Sequence, residues 1–170
     1  MEKSVLVVED EPLIADDLSF YLKDLGIDHV DISLKYDDAM DKLSKNSFDL
    51  ALLDVNLSGE QDGIHLANFI NNKLRTPFIF ITSYYDRETL DRAKKTNPYG
   101  YILKPFDKQD IYVNVEMAFH KMTLNAYQKP DKFFVKDKEG LTPIDPADIL
   151  YVEAFDNYAK VFTGDYSYIV

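Results

Sequence analysis

Four short apolar runs, each followed at once by a polar residue, constrain the fold of this chain more than any other feature. The runs cover residues 5–8, 50–53, 78–81 and 101–103, and the polar residues after them are Glu9 with Asp10, Asp54, Thr82 and Lys104. Apolar runs of this length are typical of buried parallel strands. Because the strands of an open parallel α/β sheet end at one edge, where ligands bind, the pattern predicts that these polar groups meet there.

Residues 1–123 alternate strand-like and helix-like segments, which predicts βα repeats around a parallel sheet. We expect strands at residues 4–8, 29–33, 48–53, 77–81 and 99–103. We expect helices at about residues 12–25, 36–45, 64–73, 86–95 and 108–122. The expected fold class is therefore α/β, with five parallel strands in a doubly wound sheet.

The pattern changes after residue 123, where a second region begins. Residues 124–132 include Pro130 among polar neighbours and are expected to form a linker. In residues 133–170, short apolar segments alternate with glycine and aspartate turns, which predicts a small antiparallel β unit. Since so short a segment builds only a marginal core, and the chain ends within an expected strand, we expect this unit to be incomplete.

Composition excludes several classes of protein and site. The chain has no cysteine, so it forms neither disulfides nor thiolate metal sites. Its formal charge of −11 argues against non-specific nucleic-acid binding by the chain as a whole. No apolar stretch approaches the roughly 18 residues of a membrane span, and no signal peptide opens the chain. We therefore expect a cytoplasmic protein without a membrane partner. His29, His65 and His120 share no metal-ligand spacing and are expected at the surface.

Four segments of the first region together resemble the receiver domain of two-component response regulators. They are VVEDEP at residues 7–12, LLDVNL at 52–57, ITS at 81–83 and GYILKPF at 100–106. Each is unspecific alone, but all four in this order on the expected elements are highly specific. The resemblance extends over nearly all of residues 1–123 and implies a flavodoxin-like (CheY-like) fold. It also implies that a sensor histidine kinase phosphorylates the protein.

The resemblance assigns the acidic residues to phosphoryl transfer and to a metal. Asp54 would accept the phosphoryl group. Glu9, Asp10, Asp54 and the backbone carbonyl of Asn56 would bind Mg²⁺, with Glu9 acting through a water molecule. Such a metal draws charge from the phosphoryl group during transfer. An aspartate at a strand end is by itself more often a turn or cap residue, so the assignment of Asp54 depends on the acidic pair and on Lys104.

The resemblance also implies a set of switch residues. Lys104 would pair with the phosphoryl oxygens, and its peptide bond to Pro105 would be cis. Thr82 would donate its hydroxyl to the acyl phosphate, and Tyr101 would turn into the space that this movement opens. The surface of the fourth helix, fifth strand and fifth helix would then change, and a homodimer could form through it. Taken alone, Thr82 is explained as a strand-end hydroxyl and Tyr101 equally well as a core residue.

Two further positions are those at which the family tunes the lifetime of the acyl phosphate. They are Asn56 and Tyr84, two residues beyond Asp54 and Thr82. We hypothesise that Tyr84 partly shields the phosphoryl group from water. The loop after Asp54 is one residue longer than the commonest receiver pattern, and Ser58 stands where proline is frequent in the family.

The second region resembles the start of a LytTR-type DNA-binding domain, an all-β fold whose loops read DNA. The matching segments are residues 133–137, 142–145, 148–154 and 156–158. From Ala126 onward the chain has five lysines, eight carboxylates and no arginine, whereas direct base readout depends heavily on arginine and lysine. We therefore expect DNA binding only from a complete domain, and no DNA-contact residue is assigned.

The sequence leaves three alternatives to a transcriptional response regulator to compare. The protein could be a stand-alone receiver that acts by protein contact or as a phosphate sink; the length of the natural gene product separates these readings. A haloacid-dehalogenase-like phosphatase is disfavoured because Asn56 stands where that family has a second aspartate. A nucleotide-binding protein is disfavoured because no glycine-rich loop follows the first strand. The protein is thus expected to be a signalling phosphoacceptor and not an enzyme.

Overall fold

The computed structural model of the chain describes residues 2–59, 61–74, 76–83, 86–128, 132–136, 140–155, 158–164 and 166–169. The chain divides into two units, Met1–Met122 and Thr123–Val170. No helix within the described ranges combines the length and the apolar character that crossing a membrane requires.

The N-terminal unit is built around one parallel sheet. Its strands are β1 (Ser4–Val8), β2 (His29–Ser33), β3 (Leu50–Asp54), β4 (Phe78–Thr82) and β5 (Gly100–Leu103). Its helices are α1 (Pro12–Asp24), α2 (Tyr36–Lys45), α3 (Gly63–Lys73), α4 (Arg87–Lys94) and α5, which begins at Lys108. The strand order is β2-β1-β3-β4-β5 with every pairing parallel. This confirms the predicted five-stranded, doubly wound α/β fold.

The central strands are apolar because helices cover both faces of the sheet. All five residues of β3 and of β4 are buried. Successive side chains of a strand point to opposite faces, so Leu53 packs in one apolar cluster and Leu52 in another. The Leu53 cluster includes residues of α2, α3 and α4, and the Leu52 cluster includes residues of α1 and α5. Burial on both faces fixes the strands and therefore the edge at which β1, β3 and β4 end.

Helix α5 is longer than the sequence predicts. It runs over Lys108–Gln128, whereas the predicted helix ends at Met122. The first part of the predicted linker, residues 124–128, is therefore helical, and residues 129–131 lie outside the described ranges. No glycine or proline interrupts the helix before Pro130, and a residue that precedes proline is disfavoured in the helical conformation. Pro130, and not the earlier change in composition after residue 123, is thus the first residue that disfavours a helix.

The C-terminal unit is antiparallel, as predicted. Strands β6 (Phe133–Lys136) and β7 (Leu141–Ile144) form one pair. Strands β8 (Ile149–Phe155), β9 (Tyr158–Thr163) and β10 (Ser167–Ile169) form a second sheet in the order β10-β9-β8. β7 contains Pro143, which pairs opposite Phe134. Proline is tolerated in a strand of this kind because a two-stranded sheet consists of edge strands.

Strand β8 exposes apolar side chains on both of its faces. Leu150, Tyr151, Val152 and Phe155 are each about half exposed or more. Val161 of β9, by contrast, is buried. Neighbouring residues of a strand face opposite sides, so neither face of β8 is covered within the part of this unit that the structure describes.

Candidate functional site

The carboxyl ends of β1 and β3 bring three carboxylates together. Glu9, Asp10 and Asp54 each offer one oxygen, and these oxygens lie within 4.8 Å of one another. Glu9 and Asp10 follow β1 directly, and Asp54 is the last residue of the neighbouring β3. The sheet order thus produces the juxtaposition that the strand-end pattern predicts.

Asp54 is a buried member of this cluster with two fixed hydrogen-bond partners. Its side chain is only 5% exposed. One carboxylate oxygen, Oδ1, accepts a hydrogen bond from the backbone N–H of Asn56 at 2.9 Å, while the Asn56 side chain is exposed. The other oxygen, Oδ2, accepts a hydrogen bond from Lys104 Nζ at 2.7 Å. Asp54 is therefore fixed by the backbone of the loop that follows β3 and by the cation that directly follows β5.

Lys104 is a buried cation between two buried carboxylates. Its backbone N–H donates to the carbonyl of Thr82 at 2.9 Å, and its peptide bond to Pro105 is cis. Its side chain is 8% exposed, and Nζ lies 2.7 Å from both Asp54 Oδ2 and Glu9 Oε2. Burial alone would lower the pKa of Lys104, but its contacts with Asp54 and Glu9 raise that pKa above its ordinary value. The lysine thus stays charged.

Glu9 is the most deeply buried of the three carboxylates. It is 1% exposed, and its Oε1 accepts a hydrogen bond from the backbone N–H of Glu11 at 3.3 Å. Its Oε2 forms an ion pair with the Lys104 ammonium at 2.7 Å. Burial raises the pKa of Glu9 to about 7; Lys104 opposes this rise, and the charge of Asp54 adds to it.

This raised pKa predicts that Glu9→Gln stabilises the metal-free protein at neutral and higher pH. An acid whose pKa rises on folding contributes stability below its unfolded pKa of 4.5 and loses that stability as the pH rises through about 7. One pKa unit corresponds to about 1.4 kcal/mol, so the full shift corresponds to about 3 kcal/mol. Glutamine resembles the protonated acid in shape and carries no charge to desolvate.

The measurement is denaturant unfolding of the wild type and of Glu9→Gln in a metal chelator, at about pH 5 and about pH 8. We expect similar stabilities at the lower pH and a variant more stable by up to about 3 kcal/mol at the higher pH. If the difference in unfolding free energy between the two proteins were the same at both pH values, the ionised form of Glu9 would not be the cause of the destabilisation.

Asp10 sits on the outer side of the cluster. It is half-buried and lines a cleft of about 540 Å³. The other lining residues are Leu34, Lys35, the first two residues of α2, Ser58, Gly59 and Gln61. Asp10 Oδ2 accepts hydrogen bonds from both the backbone N–H of Ser58, at 3.0 Å, and the Ser58 hydroxyl. Sequence reasoning noted Ser58 only as a departure from the commonest family pattern, because a loop contact of this kind leaves no periodic signal.

The donor set of the cluster fits a hard divalent cation. Three carboxylates provide only oxygen ligands, which is the chemistry that Mg²⁺ and Ca²⁺ require. The buried Glu9 carboxylate is one source of such oxygens. Crowded carboxylates repel one another, and a divalent cation would relieve that repulsion.

The predicted switch residues lie on the two strands beyond Asp54. Thr82 ends β4 and is fully buried. Tyr101 lies in β5, is half-buried and packs edge-on against Phe80, with the ring centres 6.0 Å apart. Burial raises the pKa of Tyr101, and the charges of Asp86 and Asp54 add to this rise. Tyr84, the predicted lifetime residue, lies outside the described residues.

Gly63 is a structural determinant of the site that the sequence pattern alone does not single out. It opens α3, and its N–H donates to the carbonyl of Val55 at 2.9 Å. A Cβ at this position would lie 1.9 Å from the carbonyl oxygen of Asp54. The preceding residue, Asp62, caps α3 through the backbone N–H of His65 at 2.9 Å. Helix α3 can therefore start against the Asp54 backbone only because residue 63 has no side chain.

Comparisons with known proteins identify the family of this chain. A family model described as the response regulator receiver domain matches residues 5–116. The sensory transduction protein LytT of Bacillus subtilis (strain 168) is 30% identical to this chain, over 98% of this chain and 71% of the relative. The sensory transduction protein LytR of Staphylococcus epidermidis is 35% identical, over 81% of this chain and 51% of the relative. The chain thus spans about half the length of the LytR relative.

A solved structure leads to the same family. The signal receiver domain of a modulated diguanylate cyclase from Desulfovibrio desulfuricans G20 superimposes with a TM-score of 0.67 at 38% identity. The match covers 72% of this chain and 97% of that domain. Fold, strand-end residues and relatives therefore converge, and the chain belongs to the response regulators of two-component signalling, with a receiver domain followed by a LytTR-type domain.

Proposed function

We propose that Asp54 accepts a phosphoryl group from a phosphohistidine of a sensor kinase, at a site that also binds Mg²⁺. The observation that carries this proposal is the environment of Asp54. Its carboxylate is 5% exposed, lies 2.7 Å from the Lys104 ammonium, and shares the edge of the sheet with Glu9 and Asp10. A buried carboxylate with a fixed cation at one oxygen and two further acids beside it is suited to receive an anionic group only together with a metal.

In the proposed transfer, an Asp54 carboxylate oxygen forms a bond to phosphorus as the bond between phosphorus and the kinase histidine breaks. Asp10, Asp54 and the Asn56 carbonyl, with Glu9 through a water molecule, would hold Mg²⁺, and the ion would supply positive charge beside the phosphoryl oxygens. Lys104 leaves its pairing with Asp54 to contact the phosphoryl group, and Thr82 donates its hydroxyl to it. In this proposal the protein is a signalling phosphoacceptor and not an enzyme.

We propose that the output depends on a second domain. Residues 1–123 would be the receiver, 124–132 the connection, and 133–170 the N-terminal part of a LytTR-type DNA-binding domain. The antiparallel pairing of β6 to β10, which differs from the parallel sheet of the first unit, supports this division. The apolar side chains exposed on both faces of β8 fit a unit that packs against other protein surface. Movement of Thr82 and Tyr101 would alter the surface of α4, β5 and α5, through which a homodimer would form and bring DNA-binding domains together.

The proposal is tested by intact mass after incubation with acetyl phosphate, with and without Mg²⁺. We expect the wild type to gain one phosphoryl group only with Mg²⁺, and Asp54→Asn to gain none. Asp91→Asn is a matched control, because Asp91 is an exposed aspartate on α4 and should leave the gain unchanged. A gain in Asp54→Asn, or failure of folded wild type with both acetyl phosphate and a phosphorylated histidine kinase, would overturn the proposal.

A further inference from the structure

Ser58 makes an unusual pair of contacts with one of the proposed metal ligands. Its backbone N–H and its hydroxyl both donate to the same oxygen, Oδ2 of Asp10. A carboxylate has two oxygens, each able to accept hydrogen bonds or bind a cation. Ser58 thus engages Oδ2 of Asp10, and no hydrogen bond found within the described ranges engages Oδ1.

Asp10 needs such a restraint more than the other two carboxylates do. Glu9 and Asp54 are both paired with Lys104, whereas no salt bridge within the described ranges includes Asp10. Asp10 is also the least buried of the three and borders the open cleft. Without its two donors, repulsion from the neighbouring carboxylates would favour rotation of the Asp10 side chain toward solvent.

We infer that Ser58 is a positioning residue for the metal site, which holds Asp10 in place before the cation arrives. The inference rests on the proposed Mg²⁺ site. Hydrogen bonds from outer residues orient metal ligands, and their loss typically lowers metal affinity by about 10-fold to 100-fold. A ligand that is already fixed also loses less conformational freedom on binding.

Three substitutions of Ser58 keep both donors, remove one of them, or remove both. Ser58→Thr keeps the N–H and the hydroxyl, Ser58→Ala removes the hydroxyl, and Ser58→Pro removes both, since proline has no backbone N–H. Isothermal titration calorimetry of Mg²⁺ into the metal-free full chain measures the affinity directly. We expect Ser58→Thr to stay close to the wild type, Ser58→Ala to bind about 10-fold more weakly, and Ser58→Pro to bind more weakly still.

Two further variants separate the possible failures. Ser44→Ala removes a serine hydroxyl that donates to Met40 on α2, away from the site, and should not change the affinity. Asp10→Asn should abolish the heat of binding. If Asp10→Asn binds Mg²⁺ like the wild type, the proposed metal site itself is wrong. If Asp10→Asn loses binding but Ser58→Ala binds as tightly as the wild type or more tightly, the positioning role of Ser58 is wrong.

Discussion

Replacing Lys104 with methionine is expected to lower the unfolding free energy of the metal-free protein by about 3 to 5 kcal/mol, the usual cost of removing one partner from a buried ion pair. Methionine fills a similar volume, so the loss is chiefly electrostatic. Glu9 and Asp54 would remain buried beside each other without the cation that now lies 2.7 Å from both. Far-UV circular dichroism during urea unfolding in a metal chelator gives the measurement.

A matched control is Lys108→Met. Lys108 pairs with Asp24, but both side chains are about half exposed, and surface ion pairs contribute only about 0 to 1 kcal/mol. Adding Asp54→Asn to Lys104→Met should recover part of the lost stability, because one of the two uncompensated charges is then absent. Equal effects of Lys104→Met and Lys108→Met would mean that Lys104 does not compensate the buried acids.

The second large effect is expected from Gly63→Ala. In most helices a change from glycine to alanine stabilises by about 0.4 to 1 kcal/mol. Here the added Cβ would lie 1.9 Å from the Asp54 carbonyl oxygen and 2.8 Å from its carbon, so backbone must move. Overpacking costs about 1 to 3 kcal/mol, and we expect a net loss near the upper end. Displacement of the acceptor should also slow its phosphorylation by about 100-fold, as misplacement by about 1 Å can.

Gly164→Ala is the control for this prediction. Apart from its chain neighbours, no described residue has an atom within 4 Å of a Cβ built at Gly164, and its backbone is not in the left-handed region. Alanine there should leave stability and phosphorylation nearly unchanged. If urea unfolding and the rate of mass gain with acetyl phosphate showed no difference between the two alanine variants, close contact at residue 63 would not position Asp54.

The sheet and the meeting of the site residues could be predicted because both follow from strand periodicity. Leu52 and Leu53 face opposite sides of β3 and are both buried, so the apolar run identifies the strand without further information. Since β1 and β3 are parallel neighbours, their carboxyl ends bring Glu9 and Asp54 to the same edge of the sheet.

The contacts that refine the site could not be predicted in this way. The bonds from Ser58 to Asp10 join residues 48 positions apart through a loop whose path the sequence pattern does not specify. The approach of Gly63 to Asp54 depends on the residue at which α3 begins. Helix α5 continues beyond its expected end because a change in composition does not by itself end a helix. Residue propensity and hydrophobic periodicity predict helices and strands, but they do not predict which loop residues come into contact.

The arrangement around Lys104 also bears on which ions the site accepts in a cell. When ionised, Glu9, Asp10 and Asp54 carry three negative charges, and Lys104 cancels one of them, which leaves two. A divalent cation brings this total to zero, whereas an abundant monovalent ion such as potassium would leave one negative charge unbalanced in a buried place. Discrimination against potassium would thus arise from the charge total of the side chains, before ionic radius or coordination number has any influence.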